Sequence, residues 1–453
     1  MAATRIRGLS TLRRASIWNW RLELNKTISI PTDLSGVTRF DPTQETTPRN
    51  VGLTQDGVDA IWNKVTDLYR TGIHPSISFC LRRHGKVVLK RSIGHTRGNG
   101  PGDSPLAERI VANPDTPFCT YSASKAITAM LIHLLVERHK IRLADCASDY
   151  IPEFGVHGKH NITIHNLLSH NAGFPAMPKE VDWDTLLNFD ACLRLICNSK
   201  PKYPVGKRVA YHTLTSGYVL GEIIRRVSGK DIREFLRETI QEPLGFKYFN
   251  FGVRDECIPD VADNYVTGVP IPEFLSSLTK QATGLDWHSY VDITNDEKFL
   301  RAIVPSGNLI ATAHEMSQFY QMLMNGGEID GKRIFKPETV RQAISLASET
   351  MLDATIYLPI RYSEGFMLGS KSFSLYLPYY KEAFGHWGFV GIFCWADPTR
   401  DIVVSLMNSG KAFLGLYVLT HFRLVGSIKR HCPRVKEGYC SPADTLKNSD
   451  ILK

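Results

Sequence analysis

No uninterrupted apolar run in this chain approaches membrane-spanning length, which predicts no transmembrane helix. The Gly-x-Ser-x-Gly elbow of lipase-type hydrolases is missing. So is the zinc-protease pattern, since His314-Glu315 has no second histidine at the required spacing. The glycine-rich stretch from Gly94 to Gly102 lacks the Gly-x-x-x-x-Gly-Lys of a phosphate loop. The nine cysteines form no Cys-x-x-Cys pair, which argues against structural zinc. Odd in number and scattered, they suit a reducing compartment better than a disulfide framework. Neither a metal nor a cofactor is expected.

A broad basic surface is also missing. The formal charge is +9, but residues 1–26 hold six Arg/Lys against one Glu, and residues 429–453 hold six Lys/Arg against three Asp/Glu. The body between is close to neutral, so no nucleic-acid partner is expected. The first 22 residues are Arg- and Ser-containing, free of acid and without an apolar h-region, so a secretory signal is not expected. Such a start reads as a basic arm, or as a mitochondrial presequence in a eukaryotic host; a cytoplasmic location is the simpler expectation.

What the chain does have begins at Thr120-Tyr121-Ser122-Ala123-Ser124-Lys125. The hexapeptide opens a run with Ile127, Met130, Leu131, Leu134 and Leu135, the stripe of a buried helix. Ser122 and Lys125 then lie one turn apart at a helix N-terminus. A lysine amine kept neutral can take the proton of a serine hydroxyl. The helix end favours a developing oxyanion and disfavours ammonium. A serine at a helix start also serves commonly as an N-cap, and Ser-x-x-Lys recurs at Ser199–Lys202 and Ser277–Lys280. Only Ser122 is followed by a helical stripe.

Two further segments share the pattern. Pro204 to Thr213 is a turn and extended piece containing Tyr211-His212, followed by a helix through Leu220, Ile223, Ile224 and Val227 that stops at Gly229. His386-Trp387-Gly388-Phe389 begins an alternating strand expected to run to Ala396, turn at Asp397–Asp401 and return as Ile402 to Leu406. A glycine at that position suits close approach of a substrate backbone.

In this order the motifs resemble the serine β-lactamase and penicillin-binding-protein superfamily, and more closely its esterase and class C β-lactamase-like branch. The likeness runs from about Leu53 to about Ser409, with supporting stretches at Ile151–Phe154, Ile162–Gly173, Asn325–Gly327, Pro337–Val340 and Ala396–Pro398. It implies that Ser122 attacks an acyl carbonyl, that Lys125 accepts its proton, and that Tyr211 is a second acid/base. The N–H groups of Ser122 and Phe389 would form the oxyanion hole, with His386, Trp387, Gly388 and Thr213 lining the substrate site. Three residues depart from the pattern. His386 replaces the lysine that suits a penicillin carboxylate, Trp387 replaces a small hydroxyl residue, and Thr213 stands where class C enzymes keep an asparagine. All three weaken recognition of an anionic lactam and point to a neutral ester or acyl donor, with a β-lactam or D-amino-acid amide as the alternative. A non-catalytic scaffold of the same fold is a third. His212 is a weak candidate for orienting Tyr211, and His170 is expected to be structural.

The resemblance implies an α/β fold of the α+β type: an antiparallel sheet flanked by helices plus a mostly helical subdomain over about 125–300. The expected organisation is a basic arm over 1–50, a hydrolase domain over 51–425 and a loosely ordered tail over 426–453. The Pro- and Gly-rich stretch from Pro259 to Gly284 is a candidate lid or substrate loop.

Overall fold

Thr54 begins the first long helix by accepting the Gly57 N–H on its side chain, and Val58, Ile61, Val65 and Leu68 form the buried stripe of Gln55–Arg70. A hairpin follows, Ser76–Arg83 with Lys86–Arg97, turning at His84 (φ 51°) and Gly85 (φ 75°). Two successive positive φ values match the right-handed twist of the flanking strands. The computed structural model describes residues 26–178, 181–348, 351–378, 380–413 and 415–435.

One antiparallel sheet organises these elements. Its order is Thr38–Phe40, Lys86–Arg97, Ser76–Arg83, Ile402–Asn408, Phe393–Asp397, Phe384–Trp387, Met367–Leu368, Pro359–Tyr362 and Met351–Leu352, with Ile110–Val111 added beside Lys86–Arg97. The two ends of the chain meet where Ile402 pairs with Arg83 and Asn408 with Ile77. On one face lie Gln55–Arg70 and the closing helix Leu416–His431, packed through Ile61, Val65, Val425 and Ile428 onto Trp395 and Val404. On the other face lie Ala313–Met324 and the helix Ser124–Glu137. Between Ser124 and Arg301 the chain is mainly helical. The fold is thus the sheet-plus-helical arrangement that the motifs imply.

Three expectations change in detail. The span 386–396 is not one strand but a hairpin, Phe384–Trp387 and Phe393–Asp397, because Gly388 N–H bonds to the Ile392 carbonyl and Val390 and Gly391 take positive φ. The arm expected over 1–50 contributes an edge strand, Thr38–Phe40, and Lys26 bridges to Gly268; its first 25 positions lie outside the described residues. The closing helix continues to His431, past the boundary expected at 425, while positions 436–453 lie outside the described residues. Among the described residues no helix is long and apolar enough to cross a membrane.

Candidate active site

Ser122 sits in a single 3-10 turn, Tyr121–Ala123, that leads directly into the helix Ser124–Glu137. The turn is held by Ser124, whose hydroxyl donates to the Tyr121 carbonyl and accepts the Leu309 N–H at 3.0 Å. Tyr121 has φ 49°, a left-handed conformation unusual for an aromatic residue. It is fixed by a hydroxyl contact to Thr294 (2.9 Å) and by ring contacts with Phe389 and Tyr290. The half-buried Ser122 hydroxyl is aimed by this arrangement.

Lys125 Nζ lies 3.1 Å from Ser122 Oγ, 2.6 Å from the Thr213 carbonyl oxygen and 3.1 Å from the Ser306 carbonyl oxygen. The two carbonyls can only accept, so both take an N–H from the amine. In the neutral amine the remaining vertex is a lone pair facing the Ser122 hydroxyl. Burial pushes the Lys125 pKa well below its ordinary value, which shifts the amine toward this neutral form. Geometry and desolvation both suit an amine that could accept a proton from Ser122.

Tyr211 closes the group. Its ring lies 4.8 Å from Lys125 Nζ, and its buried hydroxyl makes no hydrogen bond of ordinary geometry among the described residues, though the Ser122 hydroxyl lies near enough to lower its pKa. Burial raises its pKa, opposed by the Ser122 hydroxyl, so the phenol keeps its proton at neutral pH. Asp353 fixes the backbone: Oδ1 accepts the N–H of Tyr211, Thr355 and Ile356, and Oδ2 accepts the Tyr362 hydroxyl.

The strand end supplies the opposite wall. A Cβ on Gly388 would come within 2.3 Å of the Thr120 carbonyl oxygen, so only glycine lets this strand end reach the nucleophile turn. The N–H groups of Ser122 and Phe389 donate to no other group among the described residues, as free oxyanion donors must. The Phe389 ring packs on Trp287 and Tyr290.

His386 faces the same side, 6.1 Å from the Tyr211 ring, but it is 1% exposed. Its Nδ1–H donates to the Trp387 carbonyl at 2.7 Å. Burial, with Lys125 nearby, lowers its pKa to about 3, so it is neutral throughout the physiological range. Thr213 contributes mainly its carbonyl, to Lys125.

Trp387 is a correction. The alternation of the strand turns its ring to the opposite face of the sheet, against Phe393 and His421, and not toward Ser122. Its bulk therefore does not line the substrate site. His212 also turns away from catalysis: its Nε2 accepts the Phe174 N–H at 3.3 Å, and its backbone N–H donates to His170 Nδ1 at 3.2 Å. His170 packs its ring 4.7 Å from that of Tyr211, supporting it from behind.

Sequence reasoning missed Ser306 and Asp353. Val304-Pro305-Ser306-Gly307-Asn308 reads as a turn, and nothing local shows that its carbonyl holds Lys125. Asp353 lies 142 positions from Tyr211 in the chain, with no motif linking them. Among the described residues no His/Cys/Asp/Glu cluster could hold a metal ion.

The sequence profile described as Beta-lactamase matches residues 63–415. Esterase/beta-lactamase LipL of Mycobacterium tuberculosis is 27% identical over 323 residues, covering 69% of this chain and 73% of that protein. A penicillin-binding-protein homologue from Caulobacter crescentus superposes with a TM-score of 0.71 at 26% identity, covering 84% of this chain and 99% of that one. A family VIII carboxylesterase gives the same TM-score at 24% identity, covering 84% of this chain and 98% of that one, which bears on the fold.

Proposed function

The chain belongs to the beta-lactamase family and is a serine hydrolase of its superfamily; from that premise we propose that it cleaves or transfers the acyl group of neutral carboxylic esters through an acyl-Ser122 intermediate. Ser122 Oγ attacks the ester carbonyl carbon as its proton passes to Lys125 Nζ. The carbonyl oxygen becomes an oxyanion received by the N–H groups of Ser122 and Phe389. Collapse breaks the bond to the alkoxy oxygen, which takes a proton from Lys125 or from the Tyr211 hydroxyl. A water, or an acceptor alcohol, then attacks the acyl carbon and gives its proton to whichever of Lys125 and Tyr211 lost one to the leaving group; the acyl–Oγ bond breaks and Ser122 Oγ takes a proton back, restoring the starting state.

Tyr211 is protonated at neutral pH, which supports its part as the acid toward the leaving group. The observation that carries the ester reading is His386. A buried imidazole, already donating to a backbone carbonyl and neutral down to about pH 3, offers no fixed positive charge to a lactam or peptide carboxylate. The name of the family VIII carboxylesterase supports the same reading, while that of LipL, an esterase/beta-lactamase, supports it and the lactam alternative alike.

The test is hydrolysis of p-nitrophenyl acetate through octanoate by the wild type and Ser122→Ala, with a chromogenic cephalosporin alongside. Ester turnover lost in Ser122→Ala, with little cephalosporin cleavage, is expected. Efficient cephalosporin cleavage would instead establish the lactam reading, and turnover surviving in Ser122→Ala would refute the nucleophile.

A further inference from the structure

A second buried lysine lies behind the nucleophile turn, outside the chemistry just described. Lys411 belongs to the short strand Gly410–Ala412, which pairs in parallel with Tyr265–Thr267. It is fully buried, and its Nζ sits 4.9 Å from the centroid of the Tyr121 ring. Nζ donates to the Asn408 backbone carbonyl at 2.8 Å and to Asn408 Oδ1 at 3.2 Å. The Asn408 side chain in turn abuts the loop that follows Phe389: a Cβ on Gly391 would fall 2.4 Å from Asn408 Nδ2. The ammonium therefore meets the Tyr121 ring directly and reaches the Phe389–Gly391 loop only by way of Asn408, whose Nδ2 packs against Gly391 without a hydrogen bond among the described residues.

We propose that Lys411 is a positioning residue for acyl transfer, its cation bracing the strained Tyr121 and, through Asn408, the Phe389 loop, so that the two oxyanion donors keep their mutual geometry. The proposal rests on the acyl-Ser122 reading. Its physical basis is that Tyr121 holds φ 49° only while its surroundings over-determine it, and a desolvated cation on an aromatic face is among the stronger single contacts available. Two backbone donors that drift apart by a few tenths of an ångström lose much of their hold on an oxyanion.

The brace is sensitive to proton loss. Burial lowers the Lys411 pKa to about 7, with the Cys119 thiol opposing. The titratable groups around it are His74, itself lowered to about 3, Cys119, raised to about 12, and Tyr121, raised well above its usual value by burial; His421, lowered to about 4, stands behind His74. No carboxylate is among the groups that shift it. In the catalytic group His386 and His212 titrate near 3, Lys125 and His170 are pushed well below their usual values, and Tyr211 is pushed above 10. A fall of activity with rising pH has the sign of losing the Lys411 cation, whereas deprotonation of Lys125, as a base, would give a rise. The folded pKa lies below the ordinary lysine value, so the cation is present below about pH 7 and lost as the pH rises through it.

The experiment measures kcat and KM for p-nitrophenyl butyrate from pH 5 to 9 in the wild type, Lys411→Met and Asn408→Asp, with Ser122→Ala as the control for the underlying reading. In the wild type kcat should fall as the pH rises through about 7 while KM stays level. Lys411→Met should lower kcat about tenfold at pH 6, leave KM within a factor of two, and flatten the alkaline limb. Asn408→Asp places a carboxylate beside Nζ and should move the limb upward by about one pH unit. A folded Lys411→Met with wild-type kcat and the wild-type limb would overturn the proposal. If Lys411→Met does not fold by circular dichroism, Asn408→Asp decides: an unmoved limb overturns it. Turnover that persists in Ser122→Ala would overturn the acyl-Ser122 reading and this inference with it, whereas Ser122-dependent turnover indifferent to Lys411 overturns only the inference.

Discussion

Asp353 accepts the backbone N–H of Tyr211 at 3.1 Å, joining the edge of the sheet to the extended piece that carries the tyrosine. The same carboxylate accepts from Thr355, Ile356 and the Tyr362 hydroxyl, and it is fully buried. One side chain thus satisfies four donors that have no water to turn to. Asp353→Ala should therefore cost about 3 kcal/mol of stability, by leaving buried donors unpaired, and lower kcat as Tyr211 loosens. Asp353→Asn, which keeps one acceptor oxygen, should lose less on both counts. Urea unfolding and ester turnover measure the two; equal stability of wild type and Asp353→Ala would show that the carboxylate is not the anchor.

Among the described residues the Tyr211 hydroxyl approaches only the half-buried Ser122 hydroxyl, so its removal strands no fully buried group. Tyr211→Phe should keep the wild-type unfolding midpoint within the error of the measurement and lower kcat about 100-fold. A variant that unfolds easily but turns over normally would reverse the assignment and make the tyrosine structural.

Lys125 works as a base only while neutral, and burial lowers its pKa well below the ordinary value. Acylation should therefore fall on the acid side, as the amine takes up its proton, separately from the alkaline fall expected of Lys411. Lys125→Arg places a permanent cation beside Ser122 and should reduce acylation by on the order of 10³-fold or more. Burst kinetics with p-nitrophenyl acetate read the acylation step; a burst of normal rate would remove Lys125 from the mechanism.

Gly388 has no room for a methyl group, with the Thr120 carbonyl 2.3 Å and Ile392 Cβ 2.7 Å from its Cβ position. Gly388→Ala should push the strand end off the nucleophile turn, displacing the Phe389 N–H and lowering kcat by on the order of 100-fold. Affinity for a boronic acid transition-state analogue should fall in parallel. Unchanged analogue binding would mean that the Phe389 N–H is not an oxyanion donor.

His386→Lys restores the charge that this strand lacks. It should raise cephalosporin cleavage relative to ester cleavage, at some cost in stability because the site is buried. The ratio of the two kcat/KM values is the readout, and a ratio unmoved in a folded variant would detach His386 from substrate choice.

The catalytic chemistry was legible because it is local at each point. Ser122 and Lys125 are three residues apart on a helix start, and helical geometry alone puts them face to face. The helices and the first hairpin followed from periodicity and from His84-Gly85. The hairpin at 388–392 did not, because Trp387-Gly388-Phe389-Val390 continues the apolar pattern and only the backbone turn at Val390 and Gly391 breaks it. Trp387 was misplaced for a related reason: alternation says that neighbours face opposite ways, but not which face carries the site.

By itself, then, the sequence determined the pairing of Ser122 with Lys125, which depends on spacing within one element, and the order of the motifs along the chain. Only the tertiary structure decided their surroundings: the carbonyls of Thr213 and Ser306 that accept from the amine, the Asp353 carboxylate behind Tyr211, the burial that leaves His386 neutral, and the lysine on the Tyr121 ring. Each depends on dehydration and on contacts between segments far apart in the chain, and neither quantity is written in local spacing.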